Sequence, residues 1–312
     1  MSASPLRDVT PDEVETYLRD GVVLLRSIYP PQWVERLRTA MQQVFDREAD
    51  ATALSGLATG ESTVGSRADM VTRVRDLLER HTERLAVEPG GVPTGRSIVE
   101  TDACSWHEGL RRHHCEGPLP QIVAALTSSV RVNLYSDQLF LKEPGSRVRT
   151  PWHQDKPFWL LDGTKVAVCW VPVDVVTLDS GAMGYVIGSH LWGKTFKPSD
   201  FSTETGTSRI PGISYDDLED LPDIEANPLA YDVRHFPAEP GDVIVHDWRM
   251  LHGSTGNKTA DRIRRAASVR YAGDDVVFRQ RASSPEPFRH TTGLADGDSL
   301  DGAARFPRVW GD

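Results

Sequence analysis

Cysteine is scarce in this chain: Cys104, Cys115 and Cys169 are the only three in 312 residues. An odd number without paired short spacing argues against a disulfide framework, so reduced thiols are expected. Structural zinc lacks support as well, because no CxxC pair is present and His113, His114 and Cys115 are adjacent and project in different directions. Long apolar runs are missing too: no stretch approaches the roughly twenty residues that span a bilayer. Met1 to Val9 has neither a basic n-region nor an apolar h-region, so a cytoplasmic location is expected. Positive charge is in deficit, with 35 Lys and Arg against 45 Asp and Glu and a net charge of -10. Such a field repels nucleic acid and anionic membrane surfaces, which leaves a small molecule as the expected partner.

What is present is a 39% hydrophobic chain, enough to bury a sizeable core. Thr10 and Glu13 form a capping-box signature with Pro11 at the first helical position and Gly21 past the end. A β-run from Val22 to Leu25 precedes an amphipathic helix through Trp33, Leu37, Met41 and Phe45. Ala49 to Gly65 is small and polar and predicts an irregular excursion, followed by a helix over Ala68 to Leu85.

From Val130 the pattern changes to short β-rich runs: Val130 to Tyr135, Gln138 to Lys142, Val166 to Pro172, Gly184 to Ile187, Val243 to His246 and Ala266 to Tyr271. Antiparallel strands at this spacing without alternating helices predict a mainly β fold, a double-stranded β-helix or jelly roll with flanking helices. The expected organisation is one domain over 1–312: helical support over 1–129, the jelly roll over about 130–280 and a tail over 281–312. Gly193 to Asp232 interrupts the strand rhythm and reads as a lid-like insertion. Its acidic run from Asp216 to Glu225 reads as solvated surface.

The chemistry centres on Trp152-His153-Gln154-Asp155. Residues i and i+2 of an extended strand point to one face, so an imidazole and a carboxylate can converge on a common ion. His252, on or just past a late strand, supplies a third ligand. Two histidines and one carboxylate form the facial triad of non-haem Fe(II) oxygenases, with positions left open for a cosubstrate and O2. A bidentate cosubstrate such as 2-oxoglutarate leaves its far carboxylate in need of a guanidinium fork. Arg264 and Arg265 are the candidates, and Arg264 shares a strand face with Ala266, Ser268 and Arg270, where the small residues leave room for a ligand.

The stretches Pro151 to Trp192 and Gly241 to Asp274 resemble the phytanoyl-CoA dioxygenase family of Fe(II)- and 2-oxoglutarate-dependent enzymes. Trp-His-Gln-Asp, Cys169-Trp170, Gly188-Ser189-His190, Gly241-Asp242, His252-Gly253-Ser254 and Asn257-Lys258-Thr259 carry that resemblance in order. It implies His153, Asp155 and His252 as iron ligands and Arg264 as the 2-oxoglutarate anchor. Gln138, Trp170 and Ser254 follow as further cosubstrate contacts, with Lys142 a candidate for the same pocket. Because Asp155 is present where related halogenases have a small residue, it implies hydroxylation, desaturation or ring formation on a small organic substrate.

Each residue also has a plainer account. His153 or His252 could be a hydrogen-bonded core histidine, Trp170 simple packing and Ser254 a turn residue. His190 and His246 are expected to have structural or ligand-supporting roles rather than to bind metal, and Arg270 is either a solvated charge or, because it shares the predicted inner face with Arg264, a candidate to touch substrate. Two rival functions stand beside the oxygenase: a cupin-like metal enzyme that does not use 2-oxoglutarate, and a non-catalytic binding module on the same fold.

Overall fold

The structure, a computed structural model, describes residues 3–55, 95–198, 214–282 and 293–311. The capping box at the amino end forms as expected. Thr10 Oγ1 accepts from the Glu13 amide at 3.2 Å, and the Glu13 carboxylate accepts from the Thr10 amide at 2.8 Å. The pair satisfies two orphan donors at the start of α1 (Pro11–Asp20). Gly21 ends that helix at φ 78°, and a Cβ there would come within 2.3 Å of both His190 Nδ1 and Met250 Sδ.

In α2 (Pro31–Ser55), Trp33, Leu37, Met41 and Phe45 make one buried face. The excursion expected from Ala49 begins later, because the helix continues to Ser55 through Ala49, Ala51 and Ala53, residues of high helix propensity. The remainder of that stretch and the helix expected over Ala68 to Leu85 lie outside the described residues. Two further helices follow, α3 (Glu108–Glu116) and α4 (Leu119–Thr127).

Thirteen strands are described: β1 (Val22–Leu25), β2 (Ser97–Thr101), β3 (Val132–Lys142), β4 (Thr150–His153), β5 (Leu161–Asp162), β6 (Val166–Pro172), β7 (Met183–Val186), β8 (Val233–Phe236), β9 (Val243–Asp247), β10 (His252–Ser254), β11 (Arg264–Gly273), β12 (Val277–Phe278) and β13 (Arg308–Trp310). The larger sheet runs β1-β9-β6-β11-β3-β13, with β2 also on β3, and the smaller runs β4-β10-β7-β8. All pairings are antiparallel, giving the expected jelly roll.

Side-chain alternation sorts the two faces of the larger sheet. Leu139, Leu141, Cys169, Val171, Val245, Ala267 and Val269 pack outward against the helices. Trp170, Ile244 and Ala266 pack inward against Met183 and Tyr185 of the smaller sheet. A buried Val or Leu side chain contributes roughly 1.5–3 kcal/mol, so the outer layer fixes the wall on which the inward residues stand.

Three departures from the sequence pattern have local causes. The two runs expected at Val130 to Tyr135 and Gln138 to Lys142 are one strand, because Ser136 and Asp137 are satisfied inside the protein and do not turn. Ser136 Oγ accepts from Arg270 at 3.3 Å, while Asp137 accepts from the Cys104 amide at 3.1 Å. Second, β1 and β2 join the larger sheet from the region expected only to brace it. Third, the stretch expected as a tail ends in β13, paired to Val132 and Asn133.

Within Gly193 to Asp232, the described residues 193–198 and 214–232 bury Phe196, Tyr215 and Ile224, while Asp216, Asp217, Glu219 and Asp220 are exposed. Among the described residues no helix is long and apolar enough to cross a membrane.

Candidate metal centre

His153 and His252 lie opposite each other in the β4–β10 ladder, their ring centroids 4.1 Å apart. Gly253 permits this approach of strands, since a Cβ on it would lie 2.9 Å from the Thr150 carbonyl oxygen. Each imidazole is oriented by its own backbone. His153 Nδ1 lies 2.8 Å from the Pro151 carbonyl oxygen and His252 Nδ1 lies 3.0 Å from that of Met250. Donating Nδ1–H to a carbonyl fixes the tautomer and leaves each Nε2 as a lone-pair donor, the arrangement that metal-binding histidines adopt.

Asp155 does not lie on the strand that carries His153, contrary to the expected i, i+2 placement on one strand face. β4 ends at His153, and Asp155 sits in the right-handed helical region at the head of a 3-10 turn over Lys156–Phe158. The amides of Asp155 and Lys156 both donate to the Trp248 carbonyl at 3.1 Å, which bends the chain away from the ladder. The carboxylate still converges: ligand atoms of His153, Asp155 and His252 all lie within 4.8 Å of one another. His153 Nε2 is 3.8 Å from Asp155 Oδ1, and all three residues are buried.

Electrostatics prepare these groups for a cation. Burial lowers the pKa of His153 and takes His252 well below the usual imidazole range, with neighbouring imidazoles adding to the shift on His252. Burial alone would raise Asp155, but His246, His252, Arg270 and His153 together outweigh it and hold the carboxyl far below the usual range. Two neutral imidazoles and an ionised carboxylate are the protonation states that metal coordination requires. Two nitrogens and one oxygen on one side of a site fit Fe(II).

Beyond the triad the inner face carries two buried basic side chains, Arg264 and Lys142. Arg264 is 1% exposed, pulled down by burial to a pKa of about 10, and lies over the Trp170 ring with its Cζ 4.9 Å from the centroid. It donates to the Gly181 carbonyl at 3.0 Å, its Nε has no partner, and no carboxylate among the described residues pairs with it. Lys142, its register partner on β3, donates to Ser254 Oγ at 3.0 Å and to the Thr255 carbonyl at 2.8 Å. Burial, followed by the charges of Arg264 and Arg149, lowers the Lys142 ammonium pKa well below normal. Arg265 points the other way, into an ion pair with Asp174 at 2.8 Å. Gln138 lies further along the face, accepting from Arg270 Nη2 at 2.6 Å and donating to Thr101 Oγ1 at 3.2 Å.

The supporting contacts around the site come from residues distant in the chain. Gln154, between the two candidate ligands, donates to the Arg249 carbonyl at 2.7 Å and accepts from the Phe196 amide at 3.0 Å, pinning the turn. Asn257 donates to the carbonyls of Lys142 at 3.1 Å and Arg262 at 2.6 Å, bringing the two cations level. His246 reaches the site from β9 with Nε2 3.6 Å from Asp155 Oδ2, and its Nδ1 lies 3.2 Å from the Tyr185 hydroxyl. His190 lies elsewhere, with Nε2 3.2 Å from the Leu18 carbonyl oxygen. A second donor cluster, Asp102, Cys104 and Asp137, is already committed: Arg305 pairs with Asp102 at 2.8 Å, and His114 lies 3.1 Å from Asp137.

The sequence model of the phytanoyl-CoA dioxygenase family (PhyH) matches residues 17–266. Human peroxisomal phytanoyl-CoA dioxygenase is 22% identical over 278 residues, covering 86% of this chain and 70% of the relative. Among solved structures, the non-haem α-ketoglutarate-dependent carbocyclase SnoK from nogalamycin biosynthesis superposes with a TM-score of 0.65 at 21% identity, covering 99% of this chain and 100% of its own. The epimerase SnoN in complex with Fe3+, α-ketoglutarate and nogalamycin RO gives 0.62 at 18% identity, covering 96% and 97%. The convergent triad, the unpaired buried guanidinium and the match over most of the chain lead to one assignment: this chain belongs to the phytanoyl-CoA dioxygenase family of iron- and 2-oxoglutarate-dependent oxygenases.

Proposed function

We propose that the chain works as one dioxygenase domain in which His153, Asp155 and His252 hold Fe(II). Arg264, with Ser254, Trp170, Gln138 and Lys142, receives 2-oxoglutarate. The observation that carries this reading is a set of three converging donors, with both imidazole Nδ1 atoms held by backbone carbonyls, beside a buried arginine to which no carboxylate among the described residues is paired. The residues fit the groups: the donor set suits iron, and the buried guanidinium, with its Nε unpartnered among the described residues, suits a carboxylate. Bound iron supplies the activation of O2, coupled to conversion of 2-oxoglutarate to succinate and CO2, that oxidises the substrate.

The chain's own residues orient and enclose this chemistry. The carbonyls of Pro151 and Met250 hold the imidazoles in one tautomer. Arg264 presents a planar fork to the far carboxylate, stiffened by Trp170 beneath it. Burial of the triad and of both cations limits access of water. The Asp155 carboxylate would serve as a ligand to the metal, which favours substrate oxidation over halide transfer. The substrate is a small organic molecule, as in the SnoN complex with nogalamycin RO. The acidic surface of a chain with net charge -10 favours such a partner over nucleic acid, and we place the enzyme in the cytoplasm.

The test is succinate release under air with Fe(II) and 2-oxoglutarate. Production that requires both and disappears in His252→Ala supports the reading, whereas release that persists unchanged in that variant would overturn it.

A further inference from the structure

We propose that the primary substrate is a small organic anion whose oxyanion, a carboxylate or an ionised enol or phenol, is held by Arg270; this rests on the iron and 2-oxoglutarate reading above. Arg270 stands on the same inward face of β11 as Arg264, separated from it by Ala266 and Ser268. Its guanidinium is fixed in orientation. Cζ lies 4.9 Å from the centroid of the Trp159 ring, Nη2 donates to Gln138 at 2.6 Å, and Nη1 lies 3.3 Å from both Ser136 Oγ and the Asp137 carbonyl oxygen. Trp159 is stacked on Trp248 at 6.1 Å, so the platform is rigid.

Charge balance gives this residue its meaning. Arg270 is 6% exposed, pairs with no carboxylate among the described residues, and has a buried Nε without a partner. A buried guanidinium without an anion is costly, and a neutral donor could tie Ser136 to Gln138 as well. Arg270 lies in register with Val168 of β6 and Val168 with His246 of β9, whose Nε2 is 3.6 Å from Asp155 Oδ2, so Arg270 stands in the row of residues that leads to the metal site. Asp155 cannot serve as its lasting counterion, because that carboxylate, with one carboxylate of 2-oxoglutarate, neutralises the metal. The second carboxylate of 2-oxoglutarate neutralises Arg264. Arg270 is then left as a fixed positive charge on the inward face of β11, and an anionic substrate completes the balance. The stack on Trp159 and the bonds to Gln138, Ser136 and the Asp137 carbonyl hold the guanidinium in one orientation and leave its buried Nε as the donor for an oxyanion.

The test is calorimetric titration of the anaerobic enzyme loaded with Fe(II) and 2-oxoglutarate, using 2-naphthoate and its uncharged counterpart 2-naphthamide as probes. Naphthoate is expected to bind at least about tenfold more tightly than the amide, the discrimination expected of one charge-assisted contact. Arg270→Gln should remove that preference and Arg270→Lys retain part of it, with 2-oxoglutarate affinity changed by less than about threefold in each. Equal binding of the two probes, no naphthoate binding, a preference that survives in Arg270→Gln, or displacement of 2-oxoglutarate by naphthoate would overturn the proposal. Failure of 2-oxoglutarate itself to bind the iron-loaded enzyme would instead sink the reading on which it rests.

Discussion

Arg264 and Lys142 face each other in register across the β3–β11 ladder, two buried cations with no carboxylate paired to them among the described residues. A site built this way suits one carboxylate of 2-oxoglutarate, and it distinguishes two adjacent arginines by strand parity. Arg264→Gln is expected to raise the KM for 2-oxoglutarate by about tenfold to a hundredfold for each charge-assisted hydrogen bond lost. Arg265→Gln should leave that KM within about twofold and cost about 1 kcal/mol of stability through the Asp174 pair. Steady-state kinetics with varied 2-oxoglutarate and urea unfolding separate the two, and the reverse pattern would move the anchor to Arg265.

Removing a member of the triad acts on the metal before it acts on turnover. Asp155→Ala and His252→Ala should each weaken Fe(II) or Co(II) binding by more than about a hundredfold, beyond the effect typical of residues that only support a ligand. The d–d absorption of the Co(II)-loaded protein is the readout. An unchanged Co(II) spectrum in Asp155→Ala would show that this carboxylate is not a ligand.

Acid should destabilise the metal-free protein starting in the histidine range. Burial lowers His153 and His252 below the unfolded value of about 6.5, so below that pH the unfolded chain binds more protons than the folded one. Their stabilising contribution is full above about pH 6.5 and declines as pH falls. Asp155, also depressed, adds a contribution that is full above about pH 4 and is lost as pH falls through its folded value. Urea midpoints of the metal-free protein at pH 7.5 and 5.5 check this: the wild type should lose more between them than the His153→Asn/His252→Asn double variant.

Gly21 is a structural prediction near the same wall. Its left-handed φ of 78° and the 2.3 Å approach of a Cβ to His190 Nδ1 and Met250 Sδ make Gly21→Ala destabilising by roughly 2–4 kcal/mol. Thr10→Ala, which removes only the cap, should cost about 1 kcal/mol. Equal thermal midpoints for these two variants would count against the crowding argument.

The sequence carried most of the chemistry because its signals are local. His153 and Asp155 are neighbours, and Arg264 was separated from Arg265 by the alternation of one strand. The Thr10 capping box needs only four residues. What could not be read depends on partners distant in the chain. β2 and β13 are short strands that exist because β3 offers them an edge. The bend that carries Asp155 off its strand is set by the Trp248 carbonyl, far along the sequence. His246 approaches Asp155 from the larger sheet while His252 belongs to the smaller one, so periodicity along a single strand could not bring them together.

The pairing of Val22 with His246 in the β1–β9 ladder has a consequence for biosynthesis. β1 waits for a strand translated long after it, and until then it has an open edge and an apolar sequence. Long-range closure of this kind is slow and leaves an aggregation-prone intermediate. Soluble yield in a recombinant host should therefore respond to lower temperature and slower synthesis more than to any change at the metal site.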